Sequence, residues 1–144
     1  MKMLVLLTTC ILIISCGMET GNPKDLNSGI GTINISYSIC SKLESCGADY
    51  DSCINSIAYE PNFGIYFETV AYGYNNLAEV ISGVKNSEIS FNSGNYEQCN
   101  TEVLLKSCSS SLIENSWDPS NPSDFSNSFQ ILNSSPTCKN IYTP

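Results

Sequence analysis

Cysteine is the residue type whose number and spacing promise chemistry in this chain, with eight among 144 residues and no histidine beside them. Cys10 lies inside an apolar run and Cys16 at its end; Cys40, Cys46, Cys53, Cys99, Cys108 and Cys138 follow, spaced Cys-x5-Cys-x6-Cys and Cys-x8-Cys. Such thiols can hold a metal, attack as nucleophiles or pair. Structural zinc sites favour cysteines roughly two to four residues apart, often with histidine. Neither pattern is present, so no metal ligands are assigned. A reactive thiol needs a Cys-x-x-Cys neighbour or a cationic His or Arg to lower its pKa, and the sequence has no such pair, no His and no Arg. Pairing remains. The even set of six beyond Cys16 reads as three disulfides, as expected of an exported chain with a modest core.

Other chemistry finds little support. Without histidine the usual serine triads and Cys-His dyads are closed, and the acids are scattered. Asp49-x-Asp51 opens like a calcium loop, but the remaining ligands, the glycine and the terminal glutamate are missing; the pair reads more simply as the start of a helix, where negative charge meets the helix dipole. No glycine-rich phosphate loop is evident. No catalytic residue and no cofactor is assigned, and the chain is not expected to be an enzyme. The aromatic run Tyr59, Phe63, Tyr66, Phe67, Tyr72 and Tyr74 is the feature best suited to binding, because exposed tyrosines make rigid, adaptable contacts. Core and boundary packing competes for the same residues.

Charge removes further partners. Six Lys and no Arg face fourteen acids, a net charge of −8. Contact with nucleic acid depends on Arg and Lys neutralising phosphate, so no nucleic-acid partner is expected. A polybasic membrane-binding face is equally unsupported.

The amino terminus supplies a membrane contact of another kind. Met1, Lys2 and Met3 precede Leu4 to Ile14, a stretch interrupted only by Thr8, Thr9 and Cys10. A short positive region followed by an apolar core is export-signal architecture, and the run is shorter than the about 20 residues a spanning helix needs. The following Ile13-Ile14-Ser15-Cys16-Gly17 resembles the lipobox of bacterial lipoproteins. That resemblance implies removal of residues 1–15, a diacylglycerol on the Cys16 thiol and acylation, commonly palmitate, of the new amino group. It also implies a place in the cell envelope, and Gly17 rather than Asp after the cysteine favours the outer membrane. Several acyl chains, at roughly 0.8 kcal/mol per buried methylene, make a durable anchor where one chain is marginal.

Residues 16–33 combine glycines, a proline and few apolar side chains and read as a flexible tether. At about 5–6 Å times the square root of its length, it reaches on the order of 20–25 Å. Residues 34–144 form the expected domain. Ile35, Ile39, Leu43 and Cys46 fall at helical spacing, and Gly47 stops that helix. Asp49 should cap a second helix carrying Cys53, Ile54 and Ile57, ended by Pro61. Cys40 and Cys46 on one helix lie about 9 Å apart along its axis, too far to pair, so a Cys46–Cys53 bridge across the turn is expected.

Phe67, Val70, Ala71, Tyr74, Leu77, Ala78, Ile81 and Val84 repeat at three- and four-residue steps and predict a central helix, although Phe63, Ile65 and Phe67 also alternate as a strand would. A further helix is expected from Tyr96 to about Leu112, carrying Cys99 and Cys108 too far apart to bond. That leaves two solutions, 40–99 with 108–138 or 40–108 with 99–138. Trp117 to Pro122 reads as loop, and Ser123-Asp124 as the cap of a short helix bearing Phe125, Phe129 and Leu132, with Cys138 pinning the tail.

The Cys-x5-Cys-x6-Cys hairpin followed by two further helical cysteines is similar in layout, over roughly residues 35–115, to small cysteine-rich helical envelope lipoproteins of two-membrane bacteria. The resemblance implies a fold style and no activity. The expectation is an all-α domain, a small bundle of about four helices stapled by three disulfides. Its role would be non-enzymatic, as an interaction or structural module of the envelope with an envelope protein as partner. The alternative is a carrier of a small molecule or metal ion. An exposed apolar patch beside the aromatic run would favour the first and an enclosed pocket with convergent polar groups the second.

Overall fold

The computed structural model describes residues 33–144. The expected leader, Cys16 and all but the last residue of the tether lie outside the described residues. The domain is helix-rich and carries three disulfides, as the sequence leads one to expect, but its helices are short. Instead of about four helices there are six α-helical and three 3₁₀ segments among the described residues. The α-helices are α1 (Ser36–Ser45), α2 (Tyr50–Ile57), α3 (Asn62–Tyr66), α4 (Leu77–Lys85), α5 (Ser93–Leu104) and α6 (Ser111–Ser116). Two strands that the sequence reading did not anticipate, β1 (Ser90–Phe91) and β2 (Tyr142–Thr143), pair antiparallel with Phe91 opposite Tyr142.

The first hairpin forms for the expected reasons. Ile35, Ile39 and Leu43 recur every fourth residue and are fully buried. Beyond α1, Gly47 is left-handed at φ +108°. The Gly47 N–H donates to the Glu44 carbonyl at 2.9 Å and the Ala48 N–H to the Leu43 carbonyl at 3.0 Å. This is a Schellman ending, completed by the buried pair Leu43 and Ala48. The Asp49 carboxylate then accepts from the Ser52 N–H at 2.8 Å and opens α2. Pro61, expected to end α2, instead stands at the cap of α3, since α2 already stops at Ile57.

The expected central helix over residues 67–84 does not exist, and the backbone shows why. The same pair of Schellman bonds closes α3 around Glu68, left-handed at φ 59°, with Glu68 N–H to Ile65 carbonyl at 3.1 Å and Thr69 N–H to Gly64 carbonyl at 3.0 Å. It recurs around Gly73 at φ 91°, after the 3₁₀ turn Val70–Tyr72. Only then does Asn76 cap α4, its side chain accepting from the Glu79 N–H at 3.0 Å while the Glu79 carboxylate reaches back to the Asn75 N–H. A fourth such ending, around Ser87 at φ 62°, closes α4. The apolar period of this stretch is met only in part: Phe67, Leu77 and Ile81 are buried, whereas Val70 and Ala71 of the 3₁₀ turn face outward.

The helix expected from Tyr96 to Leu112 is likewise two. α5 ends at Leu104, Cys108 sits in the turn that follows, and Ser110 caps α6 through the Ile113 N–H. The short helix expected around Phe125 to Leu132 is a 3₁₀ segment over Ser128–Ser134, and Asp124 turns the chain ahead of it by accepting from the Ser126 N–H at 2.9 Å. Trp117 lies at the start of the expected loop yet is buried, with its indole N–H donating to the Pro122 carbonyl at 3.3 Å.

One core joins these pieces. α1 packs on α2 and α5, α5 on the 3₁₀ segments 128–134 and 136–140, and α6 and α3 on 128–134. A chain of ring contacts crosses it: Phe63 to Phe129, Phe129 to Tyr66, Tyr66 to Phe67, Phe67 to Tyr142 at 4.8 Å edge-on, and Tyr142 to Phe91. Tyr142 is fully buried, and its hydroxyl donates to the Ile33 carbonyl and accepts from the Ile35 N–H. The C-terminal strand thereby holds the point where the chain enters the domain.

All six expected cysteines are bridged, but Cys46 does not pair with Cys53. The bonds are Cys40–Cys53, Cys46–Cys108 and Cys99–Cys138, with Cα separations of 5.7, 5.4 and 4.9 Å. Cys53 lies four residues beyond the Asp49 cap, about 6 Å up α2, which lifts it past the turn and level with Cys40. Both of those side chains face the core with no exposure. Cys46, at the very end of α1, faces the turn holding Cys108 instead. Of the two solutions left by the sequence, the Cys99–Cys138 bond of the second is formed, and Cys40 bonds with neither Cys99 nor Cys108.

Candidate functional site

The aromatic run divides by direction. Phe63 and Phe67 are buried and Tyr66 is half-buried, all within the ring cluster. Burial pushes the Tyr66 phenol up to about 12, and its hydroxyl donates to the Leu132 carbonyl at 3.1 Å. Tyr74 is half-buried and donates to the Glu88 carboxylate at 2.8 Å, a bond that raises its own pKa. Tyr59 and Tyr72 turn outward, 72% and 65% exposed.

Two aliphatic side chains of the same stretch join them at the surface: Ile65 is 64% and Val70 43% exposed. Local structure forces this. α3 is so short that only one side of it meets the core, and the Glu68 and Gly73 reversals fold residues 69–75 back over it. Thr69 is the pin, fully buried, with its hydroxyl donating to the Tyr74 carbonyl at 2.9 Å. Gly64 makes the close approach possible, since a Cβ there would stand 2.3 Å from the Asn75 carbonyl oxygen. Exposed large apolar side chains occur again at Leu104 and Leu105, the latter 78% exposed, where α5 gives way to the turn of Cys108. Leu104 and Leu105 fall inside the longer helix expected from Tyr96 to Leu112, so their spacing carries no sign of this second exposed pair.

Concave features are shallow by comparison. A cleft of about 500 Å3 open to solvent lies at the start of α5, lined by Phe91, Asn92, Asn95, Asn140 and other neutral polar residues. A smaller one of about 150 Å3 lies between Phe67, Tyr72 and the Lys139–Glu68 ion pair. Among the described residues no three acidic, cysteine or histidine side chains gather as a metal-holding group. Asp49, which the sequence offers as half of a calcium loop, is the cap of α2, and its bond to Ser52 holds its carboxyl below the usual range. Among the described residues no helix is long and apolar enough to cross a membrane.

No protein-family model matches the chain, and neither a curated protein nor a solved structure is detectably similar to it.

Proposed function

We propose that the chain is a bacterial envelope lipoprotein, anchored through lipid on Cys16, whose domain is a non-enzymatic interaction module. Its partner is an envelope protein that covers the surface of Tyr59, Ile65, Val70 and Tyr72. The observation that carries this reading is the outward direction of those four side chains within one stretch. Ordinary monomers leave single apolar residues exposed, but a concentration of them rimmed by polar groups marks an interaction site. Tyrosine suits such a site because it offers large contact area at small entropic cost. Glu60 adjoins the stretch and the whole chain is acidic, so the partner's matching face is apolar with a cationic rim.

Two experiments test the reading separately. A Cys16→Ala precursor should fail to incorporate labelled palmitate, and retained label would refute the anchor. For the surface, a photoreactive residue in place of Tyr72, in cells making the lipidated chain, should yield a discrete protein adduct that weakens at high salt. The same residue in place of Thr101, exposed on α5, should yield none. Equal adducts from both positions, or none from Tyr72, would overturn the surface assignment and leave the anchor untouched.

A further inference from the structure

The three disulfides differ sharply in their access to solvent. Cys40, Cys53, Cys99 and Cys138 are fully buried. Cys108 is exposed, and Cys46 only half-buried. Thiol–disulfide exchange requires a thiolate to reach a sulfur along the line of the bond, so access decides which bridge can react. We propose that Cys46–Cys108 is a thiol-exchange site, open to an external thiolate while the other two bridges stay closed.

The electrons and atoms balance without further reagents. The incoming thiolate attacks the Cys108 sulfur, forming a mixed disulfide and releasing Cys46 as a thiolate. A second thiol then attacks the mixed disulfide from outside and frees Cys108, so the protein bridge gains two electrons and two external thiols become one disulfide. The reaction rests on access alone, since Cys108 is exposed and Cys46 half-buried.

Exchange here leaves the fold with its other ties. α1 and α5 remain joined by the Ser38 hydroxyl donating to the Asn100 side chain and by buried Ile39, Leu43 and Val103. Cys40–Cys53 still clips α1 to α2, and Cys99–Cys138 clips α5 to the C-terminal segment. What is freed is the end of α1 from the turn after α5, the turn that begins at exposed Leu104 and Leu105.

The test uses the folded, full-length mature chain, incubated under native conditions with reduced glutathione in one arm and a reduced protein dithiol of the thioredoxin type in the other. Free thiols are trapped with iodoacetamide and mapped by mass spectrometry. Cys46 and Cys108 should be trapped at least tenfold faster than the other four cysteines. In the glutathione arm a glutathione adduct should appear on Cys108. Exchange in either arm supports the site and identifies whether a small or a protein thiol is the better reagent. Simultaneous trapping of all six cysteines, earlier trapping of a buried pair, or no trapping in either arm would overturn it.

Discussion

Tyr142→Phe removes one oxygen from the centre of the domain and leaves the ring in place. The side chain is fully buried, its ring meets Phe67 at 4.8 Å and Phe91 at 6.0 Å, and phenylalanine keeps both contacts. What disappears is the hydroxyl that accepts from the Ile35 N–H at 3.1 Å and donates to the Ile33 carbonyl. Ile35 is fully buried, so its N–H is stranded, whereas half-buried Ile33 can turn its carbonyl to water. A stranded buried donor costs about 1–3 kcal/mol, and the second bond adds about 1 kcal/mol at most. The expected loss is therefore about 1–4 kcal/mol, a large share of the roughly 5–15 kcal/mol available to a domain. That corresponds to a fall in Tm on the order of 10 °C. Urea titration with disulfides intact measures it directly, read from the fluorescence of the single tryptophan, Trp117, which is 6% exposed. Tyr59→Phe, at a position 72% exposed, is the control and should change nothing. A loss below about 0.5 kcal/mol for Tyr142→Phe at unchanged urea slope would refute the idea that this hydroxyl holds the start of the domain.

Other outcomes follow from single contacts. Ser128→Ala should be neutral or stabilising by up to about 1 kcal/mol, because the buried Ser128 hydroxyl has no hydrogen-bond partner among the described residues and its removal relieves a desolvated group; a clear loss in the same titration would contradict this. Ser87→Gly should stabilise by about 0.5–1 kcal/mol, since Ser87 holds φ 62° at the end of α4, where glycine has no steric penalty, and a lowered Tm would count against that. Gly64→Ala should destabilise strongly, by about 3 kcal/mol or more, as its methyl would strike the backbone carbonyl of Asn75. Alkaline pH should unfold the domain cooperatively. The Tyr66 phenol is raised to about 12 and Tyr142 is raised as well, both chiefly by burial, so the stability they contribute is complete below the ordinary phenol value near 10 and is lost as pH climbs above it. Tyrosinate absorbance and far-UV circular dichroism followed together should change in step, and full ionisation of the tyrosines in an intact fold would contradict the assignment.

The sequence made the helical character, the capping of α2 by Asp49 and the bridging of all six domain cysteines legible, because each rests on local periodicity, a side-chain cap or simple parity. It hid the length of the helices. Glu68 and Ser87 adopt the left-handed conformation that ends a helix, yet neither residue type signals it, and the apolar period runs straight across the break at Gly73. Spacing does not reveal the pairing, because the geometry of the Gly47 turn decides which residues of α1 and α2 stand level, and it sets Cys40 rather than Cys46 beside Cys53. The β1–β2 pair is only two residues long on each side and joins distant parts of the chain, which leaves no periodic trace. The direction of each ring in the aromatic run was not legible, with Phe63 and Phe67 buried and Tyr59 and Tyr72 exposed. That division depends on the fold-back at Thr69 and Gly64, where tertiary contacts overrule spacing.

The anchor and the stapled domain meet in a single measurement, the intact mass and peptide map of full-length protein isolated from bacterial membranes without reductant. The isolated protein should begin at Cys16 with diacylglycerol on its thiol, and its linked peptides should join Cys40 to Cys53, Cys46 to Cys108 and Cys99 to Cys138. A chain that keeps residues 1–15 or lacks acyl mass, or one whose buried cysteines are alkylated as free thiols, would contradict that expectation.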